Sequence, residues 1–482
     1  MNKNLLGGLA LLAMFQIGKA QSPSFYPNEI TDAFNAFGEN FSAAGTARYI
    51  GMGESMGALG GDLSAVETNP AGLGIFRSSV ANLSLNVSSV KNTASMGNGS
   101  HSNSLTHLNL SESGFVFAMG DEEDPIKINL GANLSYQRLN NEVIFSPNST
   151  LNYLYKDVKG DEQLYYMEGY KQLTDGYRSK MKISVAANYL DKLYFGAGLD
   201  WYYLNIDRSS VYSHKGENGK LMNFDEQYTP YNQAANGFGL NVGVIGKVTP
   251  EVRLGAAYHS PVWWSDIEDY RWIYGYDDSK DEYFGDYVYF DRYKNVSPGK
   301  IVLSGAYASN IINDNNSLAF NIDFINYFNK DIKFKGDDPD YRLNNNFVSN
   351  YVRNSQEYRL GAEYRFKEIK LRAGYGYTTS PVKDTSVSGI FITPNSNFAY
   401  VKNYLEGEKN KFSLGAGYDI GSYFIDLGYQ LIKTSYYTSL SGNFYNPYIN
   451  EALVDYFDVN TPFLGKVKNT QNNFVLTLGM RF

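Results

Sequence analysis

The 482-residue chain has no cysteine, which excludes disulfides, thiolate metal sites, a catalytic thiol and a lipid anchor on a processed N-terminal cysteine. Histidine is scarce. His101, His107, His214 and His259 are the only four, and no two of them have metal-ligand spacing. No metal, haem or other cofactor is therefore expected; a haem receptor would have to build its axial ligands from His214 and His259. Positive charge is in deficit, with a formal net charge of −8. Nucleic acid or an anionic membrane surface would call for a basic patch, so neither is expected as a partner. Beyond the first twenty residues no run approaches the roughly 18–20 apolar residues of a spanning helix. No Gly-x-Ser-x-Gly or comparable catalytic constellation occurs, and no enzymatic activity is expected.

What is abundant points to strands. Aromatic residues make up 16% of the chain, Tyr above all, and Gly is frequent while strong helix formers are few, a composition that favours an all-β protein. The N-terminus reads as an export signal over residues 1–20. Lys3 supplies a basic start, Leu5 to Ile17 an apolar stretch, and Gly18 and Ala20 a small-residue cleavage site before Gln21.

From Ser79 onward apolar and polar or tiny residues alternate with the two-residue period of a strand whose faces differ. Ile126, Ile128, Leu130, Ala132, Leu134 and Tyr136 share one face, and Lys127, Asn129, Gly131, Asn133 and Ser135 the other. Leu193–Trp201, Phe238–Val244 and Phe412–Tyr418 repeat the pattern. A soluble sandwich also alternates, but three features favour a membrane barrel. The segments run about ten residues, the span of a tilted strand crossing a bilayer. Aromatics recur at the ends of the apolar faces, as at Tyr136, Trp201, Tyr258, Tyr307 and Tyr364. Short and long connections alternate.

Fourteen strands are expected, near 79–90, 104–119, 126–138, 180–190, 193–206, 237–248, 252–262, 300–308, 317–328, 357–366, 370–379, 411–419, 422–434 and 473–482. An even number puts both ends on the side of the short turns, the periplasm. Long loops are expected near 139–179, 207–236, 263–299, 329–356, 380–410 and 435–472. The last strand presents Phe474, Leu476, Leu478, Met480 and Phe482 on one face, and an amphipathic closing strand ending in Phe482 is what barrel-assembly machinery recognises. By strand parity Arg359, Glu363 and Arg372 face inward on adjacent strands and form a candidate lumen charge network.

Residues 21–78 break the pattern. Ile30, Phe34, Phe37 and Phe41 have helical spacing. The Gly-rich run Gly51–Gly61 follows, then a second short helix that Asp62 or Ser64 caps and that Pro70 and Gly72 end. A fourteen-strand lumen is too wide for wall side chains to fill, so this segment is read as a small helical plug, leaving 79–482 as the transmembrane β-barrel.

Thr46–Leu73, with Asn69, Pro70 and Ala71 followed by Gly72, resembles the N-terminal hatch of the FadL/TodX family of outer-membrane hydrophobic-compound transporters. Leu254–Pro261, with His259 where the family has Arg, and Leu371–Val382 with its closing Ser-Pro-Val, resemble family segments in the same order. The resemblance implies passive transport of hydrophobic compounds such as long-chain fatty acids across the outer membrane, through an apolar pocket and a lateral opening beside the hatch. On that reading Trp263, Trp264, Trp272 and Tyr274 are candidates for ligand capture in a loop, and Gly131 is the expected kink in the strand beside the opening. The acidity around Asp266, Glu268, Asp277 and Asp278 disfavours a carboxylate ligand there. The partners are then a hydrophobic small molecule or fatty acid, outer-membrane lipid and the assembly machinery. The competing reading is a non-transporting structural or accessory barrel of a secretion or surface-assembly complex, bound to another outer-membrane protein.

Overall fold

A computed structural model describes residues 27–482 apart from 39–43, 122, 148–150, 157–161, 226–229, 278–281, 311–315, 337–340, 394–395 and 441–462. The export signal expected over residues 1–20 lies outside the described residues.

Alternation builds the wall. The barrel strands are β1 (Val80–Met96), β2 (Gly99–Met119), β3 (Ile126–Arg138), β4 (Glu162–Tyr189), β5 (Leu193–Gly216), β6 (Tyr231–Lys247), β7 (Val252–His259), β8 (Lys300–Asn310), β9 (Asn316–Tyr327), β10 (Ser355–Phe366), β11 (Ile369–Thr378), β12 (Lys409–Ile420), β13 (Tyr423–Leu440) and β14 (Phe463–Arg481). Each pairs antiparallel with its sequence neighbours, and β1 pairs with β14 from Val80↔Arg481 to Ser95↔Lys466, which closes the sheet. Closure leaves no unpaired edge, the condition for a sheet in hydrocarbon. The expected all-β, 14-stranded antiparallel transmembrane barrel is what the chain forms. Ser79 and Phe482 exchange backbone hydrogen bonds of 3.1 and 3.0 Å, so the barrel's two ends meet at the short-turn end.

The outer face is the apolar one. Ile126, Ile128, Leu130 and Leu134 of β3 are exposed, as are Leu254 of β7, Ile322 of β9, Leu360 of β10 and Leu427 of β13. Trp201, Tyr258, Tyr307 and Tyr364 are exposed beside them. Inward go Asp200, Asp323, Arg359, Arg372 and Asp426, all buried. Among the described residues no helix is long and apolar enough to cross a membrane; the crossing is done by strands.

The long loops are mostly sheet. β4 has 28 residues and β5 has 24, where about ten suffice to cross. The segment expected as loop 263–299 is a hairpin, Val262–Asp277 against Glu282–Ser297, whose first strand continues the β6 ladder where β7 stops at Ser260-Pro261. The Tyr-rich alternation in these stretches had only to pair with its neighbour to extend the wall. Among the described residues three α-helices accompany the barrel: α1 (Pro27–Phe34), α2 (Ala47–Gly51) and α3 (Tyr341–Tyr351). α1 and α3 lie at the end away from the short turns. α2 and two 3₁₀ turns sit deep in the lumen.

Candidate functional site

The plug is capped turn by turn. Thr46 Oγ1 accepts from Tyr49 N at the start of α2, Asp62 from Ser64 N at the 3₁₀ turn Leu63–Glu67, and Asn69 from Ala71 N at the 3₁₀ turn Pro70–Ile75. These acceptors satisfy the orphan N–H groups that short helices leave. Pro70 therefore opens a turn rather than closing one, its missing N–H costing nothing at a first position. Asn69 also donates from Nδ2 to Gly57 O at 2.9 Å and to Val244 O of β6 at 3.1 Å, tying the plug to itself and to the wall.

The plug's glycines meet the wall's glycines. A Cβ on Gly374 of β11 would stand 2.2 Å from Gly53 N, one on Gly361 of β10 2.5 Å from Met52 O, and one on Gly196 of β5 2.3 Å from Ala71 N. Gly53 has φ +67°, a conformation open to glycine at little cost. Backbone against backbone leaves no room for an axial channel at these contacts. The Gly51–Gly61 run is thus a contact surface, not a flexible spacer.

Charge fastens the same seat. Glu363 of β10 binds Arg48 of α2 at 2.9 Å and Arg372 of β11, which also binds Asp426 of β13. Arg359 belongs to a second cluster. It bonds Glu357 at 2.9 Å and the Glu54 carbonyl at 3.0 Å, while Lys411 of β12 bridges Glu54 and Glu357 at 2.8 and 3.0 Å. The expected network of Arg359, Glu363 and Arg372 is therefore two clusters, because the plug residues Arg48 and Glu54 intervene. A third tie joins Lys180 and Lys182 of β4 to Glu67 of the plug and Asp200 of β5.

The wall is irregular beside the plug. Ser84↔Glu112 is followed by Leu85↔Leu110, so Ser111 is an extra residue in β2. The β2–β3 ladder skips the same place, from Leu110↔Tyr136 to Ser113↔Leu134. Such a bulge turns both Ser111 and Glu112 inward. Ser111 accepts from Gly45 N and donates to Gly45 O. Glu112 accepts from Ser64 Oγ at 2.9 Å and from Asn133 Nδ2 of β3 at 3.0 Å. A luminal cavity of about 90 Å³ touches this seam at Glu112, Asn133 and Ser135 and reaches Lys180, Lys300 and Arg359.

Above the plug, the apolar volume of the lumen is filled by the chain itself. Ile30 and Phe34 of α1 and the following Phe37 join a buried cluster with Leu204, Trp264, Tyr293, Phe334 and Phe347. Trp264 Nε1 donates to Phe37 O at 3.1 Å and to Ser297 Oγ at 2.9 Å. The polar face of α1 is tethered by Asp32 to Arg208 and by Glu29 to Arg271 at 3.2 Å. Burial pushes the Glu29 carboxyl up to about 7, against the pull of Arg271. A second cavity, about 170 Å³, lies beside α1 and is lined mainly by amides and hydroxyls. These two cavities carry polar groups in their linings, and the apolar seat beside the second is occupied by α1.

No protein-family model matches the chain, and no curated protein matches it in sequence. Solved structures do. The toluene transporter TodX of Pseudomonas putida aligns over 92% of this chain and 99% of its own, with TM-score 0.54 and 15% identity. The toluene transporter TbuX of Ralstonia pickettii aligns over 91% and 99%, with TM-score 0.52 and 15% identity. A FadL homologue of Pseudomonas aeruginosa aligns over 92% and 99%, with TM-score 0.50 and 15% identity. The chain has the FadL-type fold.

Asn69, Pro70, Ala71 and Gly72, the residues expected as a hatch motif, are the part of the plug pressed on β5 and β6, with Gly72 opposite Gly60. The four loop aromatics separate. Trp263 is exposed on the outer surface, 44% accessible, whereas Trp264 is buried under α1 at 1%. Alternation along the hairpin accounts for the split. Trp272 packs edge-on to Tyr287 across the hairpin, and Tyr274 pairs with Gly285 in its backbone ladder, its side chain outside the described set.

Gly131 is not a kink. It pairs in unbroken register with Val116 of β2 and Ser184 of β4, and a Cβ there would meet Leu73 Cδ1 of the plug at 2.9 Å. Its smallness serves plug contact, and the irregularity falls on Ser111 instead. A sign of it stands in the sequence: outward apolar residues shift from even numbers, Leu108 and Leu110, to odd, Phe115 and Phe117.

Proposed function

We propose that this protein is an outer-membrane channel for passive entry of hydrophobic compounds, with a lateral exit at the β2–β3 seam. The carrying observation is the bulge at Ser111–Glu112, where both ladders of β2 shift beside the plug and a luminal cavity reaches the seam. The plug supports a sideways path, because its backbone abuts wall glycines and its charges pair with β4, β10 and β12. An apolar solute entering from outside therefore finds its lowest barrier through the wall, into lipid, rather than down the axis. The TodX and TbuX structures are titled toluene transporters, and small apolar molecules of that class are the substrates we assign first, ahead of long-chain fatty acids.

Deleting Ser111 tests the exit. Removal of one bulge residue restores regular alternation without turning the rest of β2 over. Cells carrying that variant should take up toluene-like hydrocarbons as slowly as cells lacking the protein, with the barrel present in equal amount. Uptake equal to wild type contradicts a seam exit.

The accessory-subunit reading draws on two observations. α1 fills the apolar seat, and the outer hairpin exposes Tyr270, Tyr287 and Tyr289, an aromatic face suited to a protein partner. A stoichiometric partner retained on purification, together with unchanged hydrocarbon uptake in a deletion strain, would favour it.

A further inference from the structure

The cavity beside α1 sets polar groups among apolar ones. Asn109, Gln137, Gln172, Asn469 and Gln471 contribute amides to its wall, and Ser88, Thr174, Thr434 and Thr438 contribute hydroxyls. Four of its five charged residues pair with one another, Asp32 with Arg208 and Glu406 with Lys409 at 2.8 Å, and the fifth, Arg138, is exposed, where solvent screens its charge. Its volume of about 170 Å³ exceeds the ~10–15 Å³ that admits a single water, so a group of several heavy atoms fits.

Three lining residues hold buried side-chain atoms without a hydrogen-bond partner: His107 Nδ1, Asn140 Oδ1 and Thr434 Oγ1. Each such atom carries an uncompensated desolvation cost if left bare. Ligand sites are where convergent unsatisfied polar groups are tolerated. A carboxylate suits them poorly, since Asn140 Oδ1 can only accept and the Asp32 and Glu406 carboxylates are near.

We propose that this cavity binds the uncharged, multiply hydrogen-bonding head of an amphiphilic ligand, a sugar ring or a carboxamide, in preference to a carboxylate. Leu139, Val143, Ile432 and Val467 give the same cavity an apolar side, so head and tail environments adjoin within it. The proposal deepens the channel reading by naming a substrate class and rests on it only for how the ligand arrives.

The test uses the full chain in phospholipid nanodiscs and titration calorimetry with octyl glucoside below its micelle concentration, octanamide and octanoate, each corrected against empty discs. Octyl glucoside or octanamide should bind at least tenfold more tightly than octanoate. Thr434→Val and Asn140→Leu should each weaken that binding at least fivefold. Because the deleted atoms have no protein partner, neither substitution should lower the melting temperature, which separates a ligand role from a structural one. Octanoate binding as tight as the neutral probes, unchanged affinity in both variants, or no saturable binding by any probe would each overturn the proposal; the last is the result for a cavity that holds only water. Its failure differs from failure of the channel reading: hydrocarbon uptake that depends on the protein, without head selectivity, removes only this proposal. Head selectivity with uptake independent of the protein removes only the channel.

Discussion

Arg48 of the plug and Glu363 of the wall meet twice, Nε to Oε2 and Nη2 to Oε1, each at 2.9 Å. This planar, bidentate geometry fixes orientation as well as charge. Arg48→Ala leaves Glu363 to Arg372 alone and loosens α2. A one-sided cut of a pair this little exposed costs about 3 kcal/mol. The expected outcome is a lower urea midpoint for the plug and larger, noisier conductance in planar bilayers. Conductance equal to wild type would mean that the pair does not hold the seal.

Gly374→Val places a side chain where Gly53 N already sits, at a 2.2 Å approach that backbone cannot yield. The barrel should still insert and show its heat-modifiable gel shift, since β11 keeps its ladder with β10 and β12. The plug should fail to seat, and trypsin should then cut after Arg48 faster than in the wild type, where Arg48 is paired with Glu363.

Seating of α1 should depend on pH through Glu29. Burial raises the docked carboxyl to about 7, whereas a released helix has an ordinary carboxyl near 4.3. The docked state thus binds the extra proton between those values, so docking is weakest above pH 7 and strengthens as pH falls towards about 4.5. Each unit of difference is worth ~1.4 kcal/mol. Tryptophan emission, sensitive to Trp264 against Phe37 at 5.3 Å, should shift to the blue on acidification from pH 8 to 5. Glu29→Gln should remove the Glu29 part of that shift and leave only the contribution of Asp32 on the same helix, whose carboxyl burial also raises. A wild-type spectrum flat over that range contradicts the assignment.

The barrel was legible because its physics is local: a two-residue period, an apolar outer face and turn-rich breaks place all fourteen strands, and parity places Arg359, Glu363 and Arg372 inside. Strand ends were not legible. About ten residues cross a bilayer, and nothing in the alternation of β4 or β5 says that pairing continues far beyond it. The helix Tyr341–Tyr351 is marked by buried Tyr341, Asn344, Phe347 and Val348 at three- and four-residue spacing, a pattern obscured by its Asn-rich surroundings. At the site, single-residue chemistry was readable and pairing was not. The Asn69-Pro70-Ala71 turn stands out by type, but the splitting of Arg359 from Arg372 depends on Arg48 and Glu54, which are more than three hundred residues away in sequence. The glycine run reads equally as hinge or contact until its partners, Gly361 and Gly374, are known.

The absence of cysteine makes the seam open to a direct test. Ser113 and Leu134 face each other across β2 and β3 just below the bulge, and Leu110 and Tyr136 just above it. Antiparallel partners stand at about 4.5–5.5 Å between Cα atoms, within disulfide reach. The decisive measurement is hydrocarbon uptake by cells carrying Ser113→Cys with Leu134→Cys and Leu110→Cys with Tyr136→Cys, oxidised and then reduced. A lateral exit predicts uptake at the level of cells lacking the protein while the staples are closed, and recovery on reduction. Uptake unchanged by closed staples would contradict it.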